Sequence, residues 1–272
     1  MAKVTCEAPV QGIVGGYTGN SFAVQATISG LLSCALYSAL ELILLIFTVF
    51  SSYHGLYFWS LLMSTLLGVI PDALGLLLKY FELATIWISV TLSTVGWTIM
   101  VTGQSLVLYS RLHLVILNTR VLKFVLWMII FDAITMQIPQ FIASYGAVYA
   151  CHGHFTRFFN TWEKVQLTVF FVQEIIISTI FIVATTKIMR FNPTRIKRRS
   201  NIMYQLLLIN FVIILMDVSL LVLEYMGLFI IQTVLKCFFY TVKLKLEIAV
   251  LSRLKSFART VYDQNPELSG LT

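Results

Sequence analysis

The chain is dominated by apolar runs long enough to cross a bilayer, and most of them contain an ionisable residue. A crossing helix needs ~20 mostly apolar residues. Such stretches cover Phe22–Phe50, Leu56–Tyr80, Leu83–Tyr109, Val121–Tyr149, Val165–Thr186 and Ile202–Tyr225, with a weaker one over Leu228–Leu251. Glu41, Asp72, Asp132, Glu174 and Asp217 fall one to a stretch; the segment Trp87–Leu108 has no charge, and the weakest stretch carries Lys236, Lys243, Lys245 and Glu247. A charge in hydrocarbon costs ~2.5–3.5 kcal/mol on insertion scales, so these residues are expected to turn toward a bundle interior and a partner. Lipid offers the backbone no hydrogen bonds, which forces the spans to be helical. The pattern predicts an all-α fold, a seven-transmembrane-helix bundle around a polar interior. Charged residues are only 11% of the 272, against ~25% in soluble domains, which excludes a soluble core.

Lysine and arginine positions set the expected orientation. With the N-terminus out and the C-terminus in, twelve fall on the inner side, among them Arg111, Arg120, Lys187, Arg195, Lys197, Arg198 and Arg199; four (Lys3, Lys79, Arg157 and Lys164) fall outside. That is the positive-inside bias of a multi-pass membrane protein. The organisation expected is an extracytoplasmic tail over 1–21, a transmembrane domain over 22–254 and a cytoplasmic tail over 255–272. The net charge of +7 then reads as a cytoplasmic rim against anionic lipid, with no nucleic-acid partner. The first residues lack the pattern of a cleaved signal peptide, so the first span is expected to insert itself.

The last two spans carry the most regular polar spacing. Asn210, Asp217 and Glu224 are seven apart and share a helix face; Lys236, Tyr240, Lys243 and Glu247 follow three-or-four spacing. Counted inward from the outer boundary, Asp217 and Lys236 sit at equal depth, ~12 Å in at 1.5 Å per residue, and are expected to pair. Asp72 reaches a similar depth, and Glu41 is placed to reach Lys243. With Asp132 and Glu174 these residues make an expected intramembrane network. Three roles stay open for it: structural glue, ligand or ion binding, and proton relay.

Other features carry competing readings. Arg111, where the third span meets the cytoplasm, is similar in place to the arginine many seven-span receptors use as a conformational latch, although Tyr109 and Ser110 stand where an acid would precede it. The alternative is an arginine reaching out to headgroups. Arg195, Lys197, Arg198 and Arg199 form a basic run between the fifth and sixth spans, either a lipid anchor or a dock for a cytoplasmic protein partner. Cys6 and Cys151 both fall outside, so a disulfide between them is permitted, as are two free thiols. Cys151, His152 and His154 supply too few ligands for a metal site to be expected. Lysines in a seventh helix raise the retinal question, but the third span offers no counterion, and no cofactor is expected. Pro71 and Pro139 break two spans. Pro139-Gln140 is similar to the proline–glutamine pair of small seven-span transporters, but its second copy is missing and no internal repeat is visible. No nucleophile–base arrangement is present, and an enzyme is not expected.

Several segments together carry a family resemblance: GLYFWSL from Gly55, MVTGQSLVLYSRLH from Met100, QEIIIS from Gln173, RRSNIMYQ from Arg198, Met216-Asp217 with Glu224-Tyr225, and KLKLE from Lys243. Over roughly Gly15 to Leu254 the chain resembles a family of uncharacterised fungal integral membrane proteins known only as a domain of unknown function. The resemblance implies a fungal seven-span membrane protein, receptor-like in outline, and no activity to carry over. The leading expectation is a receptor-like protein, in the plasma membrane or an endomembrane, that senses a small ligand or protonation through its polar network. The alternatives are a small-molecule or proton-coupled transporter and a structural membrane protein.

Overall fold

The computed structural model describes residues 21–50, 55–116, 118–149, 153–191 and 196–263. Among them the fold is entirely helical, with seven helices: α1 (Phe22–Val49), α2 (Leu56–Tyr80), α3 (Ile86–Val115), α4 (Thr119–Tyr149), α5 (Gly153–Phe191), α6 (Ile196–Tyr225) and α7 (Phe229–Asp263). Each packs on its neighbour in sequence, α7 returns to α1 to close the ring, and α3 also touches α5 and α7. Successive helices run in opposite directions. The end where α1 begins is called the upper end below, and the other the lower end.

The helix ends follow local chemistry. Asn118 Oδ1 accepts the Arg120 backbone N–H at 3.1 Å, capping α4. The short α6–α7 link closes on Gly227 at φ 73°, with Gly227 N–H donating to Glu224 and Leu228 N–H to Leu223; this is the left-handed helix stop that glycine adopts without penalty. The α2–α3 link repeats those bonds from Glu82 and Leu83 to Lys79 and Leu78, with Glu82 at φ 52°.

Inside α2, the turn Ser64–Val69 is π-helical, immediately before Pro71. A proline ring collides with the carbonyl four residues back, here Leu67, and a widened turn relieves that collision. α2 and α3 meet at backbone distance along four glycines spaced by seven on each helix. A Cβ built on Gly75 would lie 2.5 Å from Ser93 N, and one on Gly96 would lie 2.4 Å from Asp72 N; on Gly68 and Gly103 it would lie 2.8 Å from Met100 and 2.7 Å from Ser64. Only glycine permits this approach.

Six helices, α1 to α6, contain stretches long and apolar enough to cross a membrane. Large apolar side chains stand outward around the ring, Leu44 at 71% and Trp127 at 70% exposure among them. On a soluble surface so much exposed apolar area would be a liability; in lipid it is the favourable face. The protein is membrane-embedded and multi-pass. α7 falls outside the six on composition, because one of its faces carries Gln232, Lys236, Lys243 and Glu247, all buried inside the bundle.

Candidate functional site

Polar groups gather in three tiers down the inward face of α7. Lys236, Lys243 and Glu247 recur at seven and then four residues, so they stack along one side of the helix, the first two about 10 Å apart. Among the described residues, six carboxylates are buried (Asp72, Glu163, Glu174, Asp217, Glu224 and Glu247) against three buried cations (Arg111, Lys236 and Lys243).

In the upper tier Lys236 Nζ donates to Glu163 Oε1 at 2.9 Å and lies 4.2 Å from the centroid of the Trp97 ring. Across from it the Ser93 hydroxyl donates to Asp72 Oδ1 at 2.9 Å. A pocket with a cavity volume of about 80 Å³, partly open to the upper surface, is lined by Asp72, Lys79, Trp97, Gln140, Glu163 and Lys236, among others. In the middle tier one ammonium serves two acids: Lys243 Nζ donates to both oxygens of Glu174, at 3.2 and 3.0 Å, and to Asp217 Oδ1. Its other side faces the Tyr240 ring, 4.8 Å away. In the lower tier Arg111 donates from Nη1 to both oxygens of Glu247, at 2.9 and 3.0 Å, and from Nη2 to Asn210 Oδ1 at 2.6 Å. The Phe181 ring lies 4.3 Å from its guanidinium carbon, and the Tyr57 hydroxyl donates to the Glu247 carbonyl at 2.9 Å. This clasp joins α2, α3, α5, α6 and α7. A cation so thoroughly dehydrated needs such acceptors to offset the cost of leaving water.

The interior positions of Asp72, Glu174, Asn210, Asp217, Lys236, Tyr240, Lys243 and Glu247 agree with the sequence pattern; their pairing does not. Asp217 meets Lys243, and Lys236 meets Glu163. Every Cα–Cβ bond leans toward its own helix N-terminus. On the antiparallel α6 and α7, Asp217 therefore leans down and Lys243 leans up, so residues offset by about one heptad meet while those at equal depth diverge. Glu41 is likewise redirected, to Lys245 at 2.5 Å, on the outer side of the α1–α7 seam where both remain partly exposed. The buried stripe of α1 is Leu32, Ala35, Ala39, Leu42 and Ile46, and Glu41 stands one position off it. Asp132 also leaves the interior set. It is half-buried on the flank of α4, with no ion-pair partner among the described residues, because the inward face of α4 is set by Gln137, Gln140 and Ser144 and Asp132 stands about 140° round from Gln137.

Arg111 is not a rim residue. It is 2% exposed, since α3 continues to Val115 and Arg111 shares the buried face of Gln104 and Leu108. Lys197, Arg198 and Arg199 belong to the first turns of α6 rather than to a loop, and their side chains lie outside the described residues. Arg195, Cys6, Cys151 and His152 also lie outside them. Glu163 lies ahead of the apolar run that marks the fifth span, yet α5 begins at Gly153 and carries it. The signal was there: Glu163 and Glu174 are eleven apart, three turns of one face, with Gln166, Phe170, Ile177 and Phe181 completing it.

Residues 18–265 match the family model described as a domain of unknown function, DUF7703. The chain belongs to the DUF7703 family. No curated protein and no solved structure matches it.

Proposed function

We propose that this DUF7703 chain is a receptor-like membrane protein that crosses the bilayer seven times with its N-terminus outside, takes a small ligand in the upper pocket, and signals occupancy at the lower end. One observation carries the reading. A single face of α7 runs from the pocket, through Lys236 and Lys243, to the Arg111–Glu247–Asn210 clasp. A small rotation or translation of α7 that suits a ligand beside the Lys236–Glu163 pair must also load the clasp, because a packed helix moves as a body. The clasp ties α3 to α6 and α7, so its release would separate their lower ends. Lys197, Arg198 and Arg199 belong to the first turns of α6 at that end, with Arg195 just before them in the sequence, where a cytoplasmic protein partner would dock.

The test is a distance measurement between spin labels on cysteines placed at the exposed His113 of α3 and Tyr204 of α6, with Cys6, Cys34 and Cys151 changed to serine. Glu247→Gln should weaken the clasp and shift the distribution to longer separations. An identical distribution in parent and variant would remove the clasp from any switching role.

A second reading, a proton-coupled carrier, is favoured by the excess of buried acids over buried cations, which leaves room in the interior for transferable protons. Proteoliposomes given a pH step decide between them. Flux above that of empty vesicles moves the assignment to a carrier, and its absence leaves the receptor reading in place.

A further inference from the structure

We propose that the ligand of the upper pocket is a small primary amine, bound as its ammonium with the charged end innermost. This rests on the pocket's being a ligand site, as above, and adds the chemical class. Three of the residues that line this cavity carry acceptors with capacity to spare. Asp72, 3% exposed, receives the Ser93 hydroxyl and has the Cys237 thiol beside it, and no lysine or arginine lies in ion-pair contact with it among the described residues. Glu163 gives Oε1 to Lys236, while its Oε2 is buried and meets no donor. Gln140 Oε1 is also buried without a donor. Glutamate and glutamine here are 6% and 5% exposed. A buried acceptor without a donor is costly, and an ionised one more so.

The shape and number of these groups select the class. A primary ammonium carries three N–H donors and no acceptor, which matches three acceptors of which two are carboxylates. A hard divalent cation would want six or more oxygens closely converged; this pocket instead has apolar and aromatic walls in Leu76, Val90, Trp97, Phe159 and Phe229, suited to an organic body. Lys236 is already committed to Glu163 and Trp97. Lys79, at the mouth, has no ion-pair partner among the described residues and stands 5.8 and 5.9 Å from the Tyr80 and Phe229 rings. It offers a point of attachment for an anionic tail, so a simple amine and a zwitterionic amino acid share the inner chemistry and differ only at the rim.

The experiment uses the full chain in phosphatidylcholine nanodiscs and reads the melting temperature at constant ionic strength. The probes are butylammonium, 4-aminobutyrate, tetramethylammonium and butyrate. Butylammonium should raise the melting temperature with a millimolar midpoint, whereas tetramethylammonium, which has no N–H, and butyrate should not. Asp72→Asn and Gln140→Leu should each weaken the amine by about tenfold or more, as expected for loss of a hydrogen bond to a charged group. Should Asp72→Asn fail to fold, Gln140→Leu, which removes no charge, decides. A tighter 4-aminobutyrate, with that advantage lost in Lys79→Met, identifies the zwitterion; equal binding identifies the simple amine. No shift with butylammonium up to about 50 mM, the weakest binding worth assigning to a site, an equal shift with tetramethylammonium, or an unchanged midpoint in Gln140→Leu overturns the proposal. Amine binding with unmoved spin-label distances would instead sink the receptor reading and leave this one standing.

Discussion

Lys243 is the donor shared by two acids on two different helices, and that makes it the residue whose loss should be felt most. Lys243→Met strands Glu174 and Asp217 together in a buried site, and breaking a buried pair by removing one partner costs ~3–5 kcal/mol. Adding Glu174→Gln and Asp217→Asn to that change should restore most of the loss, since no charge is then left alone. Asp217→Asn and Lys236→Met, which touch different partners, should simply add in the same detergent melting curves. Strong coupling between those two would contradict the observed pairing. The identity of these buried residues was legible from spacing alone, because an ionisable group inside an apolar run has few other places to go. Their pairing was not, because it depends on the direction in which each side chain leaves its helix. Arg111 was misjudged for a related reason: its burial depends on α3 extending two turns beyond the apolar run that announces it.

At the scale of the element, α2 is the most constrained helix in the bundle. Its π-turn absorbs Pro71, and its glycines let it lie against α3 with backbone nearly touching backbone. Gly96→Ala drives a methyl group into the backbone of Asp72 and forces the two helices apart. The expected cost is ~1–3 kcal/mol, the usual penalty of overpacking, read as a lowered melting temperature; an unchanged one would mean that the helices separate freely there. Gly103→Ala meets Ser64 Cβ, which its backbone holds in place, so it should also lower the melting temperature. The existence of the helices could be read from apolar length, which is a property of each segment by itself. The glycine seam could not, since a close approach belongs to two segments at once, and the start of α5 was missed because its first turns are too polar to announce a span.

For the whole molecule the parity of crossings is decisive. Seven crossings put the two termini on opposite sides of the membrane, six put them on the same side. Epitope tags at the two ends, tested for antibody access in sealed right-side-out vesicles, should show the N-terminal tag exposed and the C-terminal tag protected until permeabilisation. Both tags exposed, or both protected, would show that α7 does not traverse. The composition of α7 has a further consequence for biogenesis. Three lysines and a glutamate along its apolar stretch weigh heavily against its leaving the translocon alone. A seventh crossing would have to wait for a mould shaped by its predecessors, with Glu163, Glu174, Asp217 and Arg111 supplying the impressions into which it is pressed. Fused by itself to a glycosylation reporter it should fail to integrate, and it should succeed when synthesised behind α1 to α6. A chain of this kind is completed by its most reluctant member, so errors made early would surface as a missing seventh rod.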